Sequence, residues 1–212
     1  MNSVRIEDDR VVKRYTTWGS VASFNHDLLA RCGYDGAITY SPKRERFKRE
    51  TQRLAAYANG NLPVPELIKA DEETLEIVMR RLPGTSFIKL LIDGRLKKRE
   101  ALACLEKSSE VMRAIHEIGG KGDTYLCNFL VDGGNVAAID FEHETAGGNE
   151  GEMENLYLSA LIEVPAPREE VRSAVTYGYG AEPRDPPEWI LKGMKFLHPA
   201  ISVAFRLEQR LL

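Results

Sequence analysis

Asp123 and Asn128 lie five residues apart, and Asp140 follows them after two apolar runs. Those runs, Phe129 to Val131 and Val136 to Ile139, flank Asp132-Gly133-Gly134-Asn135. An Asp-Gly pair between apolar runs is a strong hairpin signal. Hairpin strands are antiparallel, so the residue entering the first strand lies beside the one leaving the second. A three-residue loop at 133–135 places Asp132 opposite Val136 and Asn128 opposite Asp140. The inference depends on register, because a one-residue slip turns the two side chains to opposite faces. In that register an amide and a carboxylate share the open end of the hairpin, and Asp123 sits in the loop that feeds it. Carboxylates converging on one point repel unless a cation joins them. Hard oxygen donors of this kind suit magnesium, which keeps waters and shares phosphate oxygens. Taken singly, each of these residues reads equally well as a solvated strand end. The specific signal is the whole spacing: Asp, four residues, Asn, a hairpin, then Asp-Phe.

The elements that must position these residues are legible in part. Val4 to Tyr15 reads as a hairpin with Asp8 and Asp9 at its turn and Val11-Val12-Lys13 in its second strand. Ser41-Pro42 reads as a helix start, serine as cap and proline at the first position, with the helix running to about Ala58. Within it Glu50 lies on the stripe of Phe47 and Leu54, a core-facing place where an unpaired carboxylate costs about 3–5 kcal/mol. A lysine on a neighbouring strand satisfies it, and Lys13 is well placed; a solvent-facing Lys13 and a half-exposed Glu50 are the plain alternative, with Glu45 the competing glutamate. Two strands, Glu66 to Ala70 and Leu75 to Arg80, follow, the second ending at Leu82-Pro83-Gly84. Lys97 to Ile118 is an amphipathic helix with Leu102, Leu105, Met112 and Ile115 in its stripe. Further helices are expected over 151–163, 167–177 and from Pro187 onward, broken near Pro199. Residues 17–40 show no clear period. The expected architecture is α+β in two lobes: a strand-rich N-lobe over 1–84, with 17–40 as an unassigned insert, and a helical C-lobe over 85–212.

The segment from Asp123 to Phe141 resembles the catalytic segment of the protein-kinase superfamily. Ile115-His116-Glu117-Ile118-Gly119 before Gly122-Asp123 is similar to the kinase subunit of the KEOPS complex. Asn128-Phe129-Leu130-Val131 and Ile139-Asp140-Phe141-Glu142 also resemble RIO-type and lipopolysaccharide-core kinases. The resemblance covers about residues 1–15 and 42–163. It implies a two-lobed kinase-like fold using ATP and Mg2+. By that resemblance Asp123 orients or deprotonates the acceptor, Asn128 and Asp140 hold the metal, and Lys13, paired with Glu50, reaches the ATP phosphates. Met79 borders the adenine pocket, and backbone groups near Arg80 and Leu82 meet the adenine edge.

The departures matter as well. No Gly-rich loop precedes Lys13, Lys121 stands where many kinases have histidine, and Asp140-Phe141-Glu142 replaces Asp-Phe-Gly. The stretch after Glu142 is too short for a long regulated activation loop. The acceptor, a protein hydroxyl, a sugar or water, is not readable, and a nucleotide-binding or ATPase module controlling a partner complex is the competing function. An acceptor-side lid is the expectation for 17–40. The net charge of −3 excludes a nucleic-acid-binding polycation, and the basic run Lys43 to Arg53 reads as a solvated helix face. Cys32, Cys104 and Cys127 form no CxxC pair, which argues against zinc and a disulfide framework. With no signal-type start and no apolar run near membrane length, a soluble cytoplasmic protein is expected. His116 is expected to be structural.

Overall fold

The structure is a computed structural model that describes residues 2–16, 34, 38–39, 41–119, 124–145 and 147–196. Strands β1 (Ser3–Glu7) and β2 (Arg10–Arg14) form the first hairpin, with Asp8 at φ 38° in its turn. Strands β4 (Leu67–Asp71) and β5 (Glu76–Arg80) form the second, around a turn in which the Asp71 carboxylate accepts the N–H groups of Glu73 and Thr74. The four make one antiparallel sheet in the order β1-β2-β5-β4, with Lys13 opposite Ile77 and Val11 opposite Met79. Two-residue β3 (Ile38–Thr39) pairs instead with β9 (Glu144–Thr145).

Helix α1 (Lys43–Ala58) packs on this sheet. Its buried residues, the adjacent Arg46 and Phe47 followed by Glu50, Leu54 and Tyr57 at steps of three and four, lie on one helix face. Pro42, expected at the first helical position, is itself the cap residue, extended at ψ 152°, and its carbonyl accepts the N–H of Glu45 and of Arg46. The other α-helices among the described residues are α2 (Phe87–Ile92), α3 (Lys98–His116), α4 (Gly148–Glu163), α5 (Arg168–Tyr179) and residues 188–196. Six apolar-rich residues were too short a run for α2 to show a period of its own. The segment beyond 196, where the helix break near Pro199 was expected, lies outside the described residues. Among the described residues no helix is long and apolar enough to cross a membrane.

Strands β6 (Thr85–Ser86), β7 (Phe129–Asp132) and β8 (Asn135–Ala138) form a small second sheet. Its hairpin corrects the expected register. The loop has two residues, Gly133 and Gly134, at φ 53° and 85°, and Asp132 pairs with Asn135 rather than Val136. Two adjacent glycines accept the positive φ of a turn whose twist matches that of the strands, so the tighter loop wins. The ladder therefore sets Asn128 beside Ile139, whose N–H donates to the Asn128 carbonyl at 2.9 Å. Asp140 comes one residue later, off the strand, at φ 66°.

One apolar core joins both halves, running from Tyr15, Phe47 and Leu54 through Met79 and Phe87 to Phe129, Phe141, Leu156 and Val175. Tyr34, from the segment with no readable period, is buried against Leu158, Ile190 and Leu191 in a smaller cluster.

Candidate active site

A cleft of about 310 Å³ opens between the four-stranded sheet and the β7-β8 hairpin. Its lining combines apolar Val4, Ile6, Val11, Met79, Leu82 and Leu130 with polar Lys13, Glu50, Asn128 and Asp140. The structure thus brings seven of the eight residues singled out from the sequence to one cavity: Lys13, Glu50, Met79, Arg80, Leu82, Asn128 and Asp140. Asp123, with Lys121, lies outside the described residues. Thr124, next along the chain, is buried, and its hydroxyl donates to the Glu152 carbonyl at 2.5 Å.

Strand alternation turns Lys13 into the interior, 5% exposed. Its Nζ lies 2.7 Å from Glu50 Oε2, 2.8 Å from Asp140 Oδ1 and 3.5 Å from Glu142 Oε2. The Tyr15 hydroxyl also donates to Glu50 Oε2. Burial opposes the lysine's charge, but the Asp140 and Glu50 carboxylates outweigh it and hold the ammonium protonated well above the usual lysine range. The same burial pushes the Glu50 carboxyl up, against the pull of Lys13. Glu142 behaves oppositely. Burial alone raises its pKa, yet Lys13, His143 and Arg46 together hold it below the usual carboxylate range. Glu50 Oε1 has no hydrogen-bond partner among the described residues.

Sequence reasoning missed how far the charges extend. Glu142 Oε2 accepts from Arg46 Nη1 at 3.2 Å and from Asn2 Nδ2 at 2.6 Å, and Glu142 Oε1 lies 3.0 Å from His143 Nε2. The run from Lys43 to Arg53 is not simply a solvated face: Arg46 is 0% exposed, and Arg49 and Arg53 reach residues 141–144. The available signal was Arg46, one turn before Glu50 on the same core-facing stripe.

His116 is half of a buried pair on α3 and α4, Nε2 lying 2.7 Å from Glu152 Oε2 and Nδ1 2.6 Å from the Tyr179 hydroxyl. Among the described residues neither Cys104 nor Cys127 is in a disulfide, and Cys32 lies outside them.

The donor set fits magnesium. Asn128 and Asp140 offer hard oxygens at one wall of the cleft, and Asp140 is the more open of the site carboxylates, its side chain 30% exposed. Carboxylate oxygens of Glu50, Asp140 and Glu142 lie within 4.8 Å of one another, but the Lys13 ammonium already bridges them. A magnesium ion would therefore be held by Asn128 and the open side of Asp140 rather than by that triad.

An antiparallel sheet with one charged helix, a helical half and a cleft between them define an α+β, two-lobed, protein-kinase-like fold. Solved structures agree on the fold. The aminoglycoside phosphotransferase APH(2")-IIa in complex with gentamicin matches with TM-score 0.54 at 12% identity, over 84% of this chain and 73% of that one. Its ternary complex with streptomycin and ATP matches with TM-score 0.51 at 12% identity, over 85% and 78%. The bifunctional kinase-methyltransferase WbdD matches with TM-score 0.51 at 14% identity, over 92% of this chain but only 47% of that one. No family model and no curated protein sequence matches the chain.

Proposed function

We propose that this protein is an ATP-dependent phosphotransferase that moves the γ-phosphoryl group to a hydroxyl. The observation that carries this reading is one ammonium, Lys13, held by Glu50 and Asp140 at 2.7 and 2.8 Å in the lining of a cleft otherwise rich in apolar side chains. The apolar lining suits a flat base. The Arg80 N–H already donates to the Glu66 carbonyl, so the adenine-edge donor falls to Leu82 and the acceptor to the Arg80 carbonyl. Lys13 orients the phosphates, and Glu50, fixed by Tyr15, keeps Lys13 in place. Asn128 and Asp140 hold magnesium, which neutralises charge on the phosphates when bound. Asp123 receives the proton of the acceptor hydroxyl as its oxygen bonds to the γ-phosphorus and the bond to the β-phosphate oxygen breaks. Catalysis of this kind is mostly positioning and charge stabilisation.

Within this reading residues 1–84 and 85–212 act as the two lobes; the acceptor-side lid expected at 17–40 falls mostly outside the described residues. The acceptor is a protein serine or threonine or a small polyhydroxyl molecule, as in the atypical kinases that the catalytic segment resembles. One observation favours the second reading, a nucleotide-binding module with slow hydrolysis: Glu142 occupies the place of the flexible glycine and is locked into a buried charge network.

Calorimetry of ATP with and without magnesium, on wild type and Asp140→Ala, tests the site. Magnesium-dependent binding that disappears in the variant is expected. Equal binding by both, or none by a folded wild type, overturns the reading. Labelled ATP then separates the two functions: transfer to protein or sugar marks the kinase, and phosphate release that needs a partner marks the module.

A further inference from the structure

Arg46, Arg49 and Arg53 fall at steps of three and four on α1, and so on one face. All three reach across to the residues that follow Asp140. Arg46 Nη1 bonds Glu142 Oε2 at 3.2 Å. Arg49 Nη1 donates to the Glu142 carbonyl at 2.8 Å, and its Nε lies 3.1 Å from Glu144 Oε1. Arg53 Nη1 donates to the carbonyls of Phe141 and His143 at 3.0 and 2.7 Å. Arg46 Nη2 also donates to the Thr16 carbonyl at 2.6 Å, just beyond β2. The helix carrying Glu50 is thereby tied both to the strand carrying Lys13 and to the segment carrying Asp140.

Glu142 is the knot of this arrangement. It is 2% exposed and faces Arg46, Lys13, Asn2 and His143. Asp140, two residues earlier, holds a positive φ of 66°. A non-glycine residue keeps such a backbone when its surroundings over-determine it. Here the surroundings are Lys13 on its side chain and the arginine grip on the next three carbonyls.

We infer that Glu142 is a positioning residue of the transfer site, which with Arg46 locks α1, β2 and the Asp140 segment into one block before any ligand arrives. Lys13, Glu50 and Asp140 then need no switch to assemble, because swinging α1 away would separate a buried ion pair. The inference rests on the proposed function for its chemistry but not for its mechanics, and the two are tested separately.

Amide hydrogen exchange on the ligand-free protein tests the mechanics. Glu142→Gln keeps the shape and removes the charge. Protection over 43–58 and over 141–145 is expected to fall together, by about tenfold, the order of a typical coupling. Arg46→Met is expected to do the same, and the double variant to be no worse than the poorer single one. Loss confined to 141–145 with wild-type rates in α1, or additive losses, overturns the inference. Should the Glu142 variant not fold, Arg53→Met removes the grip on two carbonyls while leaving the charges around Lys13 intact. It is expected to loosen the same two segments together.

ATP calorimetry on Glu142→Gln tests the positioning. Residues that orient metal ligands typically matter by about 10–100-fold. Affinity for magnesium–ATP is expected to fall by that order, while affinity for ATP without magnesium stays level or rises, because a negative charge has left the phosphate end. A merely structural role shifts both affinities alike, and that result overturns the inference. A wild type that binds no ATP refutes the proposed function instead, and the exchange data then decide the block by themselves.

Discussion

Replacing Lys13 by methionine should convert the buried charge cluster from a self-satisfied one into a site that needs a metal. The variant leaves Glu50, Asp140 and Glu142 with carboxylate oxygens within 4.8 Å of one another and no ammonium among them. Unit charges at that range repel by about 3–4 kcal/mol at an effective dielectric of ~20. Removing one partner of a buried pair independently costs about 3–5 kcal/mol. Glu50, 1% exposed and already pushed up by burial, relieves part of this by taking a proton, so the lower end, about 3 kcal/mol, is the expected loss. For a domain of this size that lowers Tm by roughly 6–12 °C. A divalent cation binding the vacated centre at 100 times its Kd returns about 2.7 kcal/mol, most of the loss. The assay is thermal unfolding without nucleotide, with and without magnesium or manganese chloride at matched ionic strength. Wild type should be indifferent to the cation, Lys13→Met should melt low and recover, and adding Glu50→Gln should recover part of the stability without metal. A Lys13→Met protein that melts within about 2 °C of wild type, or that gains no more from the cation than wild type does, would refute the reasoning.

Other outcomes follow from packing and from titration. A Cβ at Gly178 of α5 would drive into the Glu106 carbonyl and lie 2.8 Å from Ser109 Cβ on α3, so Gly178→Ala should destabilise by about 1–3 kcal/mol and lower Tm by about 2–12 °C; an unchanged melt would show that the α3–α5 contact yields. Burial pushes the Tyr57 phenol up to about 12, against the nearby Arg53, in a ring packed edge-on to Phe141 at 5.1 Å. Its folded pKa exceeds the unfolded value of about 10, so this contribution is complete below about pH 10 and is lost as pH rises through the folded value. Alkaline denaturation of Tyr57→Phe should lack that component, and identical stability profiles for wild type and variant between those two pH values would count against it.

Much of the site could be read from one dimension. The spacing Asn128, hairpin, Asp140 points to one hairpin end because antiparallel pairing brings a strand's entrance beside its partner's exit, while the loop decides which residues face each other. Glu50 on the stripe of Phe47 and Leu54 demands a cation because a lone buried carboxylate is too costly, and the structure sets Lys13 against it at 2.7 Å. Helix α1 ends at Ala58, as the apolar period and Gly60 imply, and the limits of β4, β5 and α3 fall within a residue or two of the sequence reading.

The turn of the β7-β8 hairpin shows where that reading stops. Two loops, of two or three residues, are compatible with Asp132-Gly133-Gly134-Asn135, and the choice rests on strand twist, which only the paired strands express. Once it is made, Asn128 lies beside Ile139, and Asp140 reaches Lys13 by leaving the strand at φ 66°. The arginine grip was more hidden still. Arg46, Arg49 and Arg53 meet partners 88 to 96 residues away in sequence, and no local period records such a meeting. Local physics, meaning side-chain period, capping and the cost of a lone buried charge, was therefore written in the sequence. Which charges answer which was decided by the packing of α1 on the Asp140 segment, because electrostatic partners are chosen by distance in space and not along the chain.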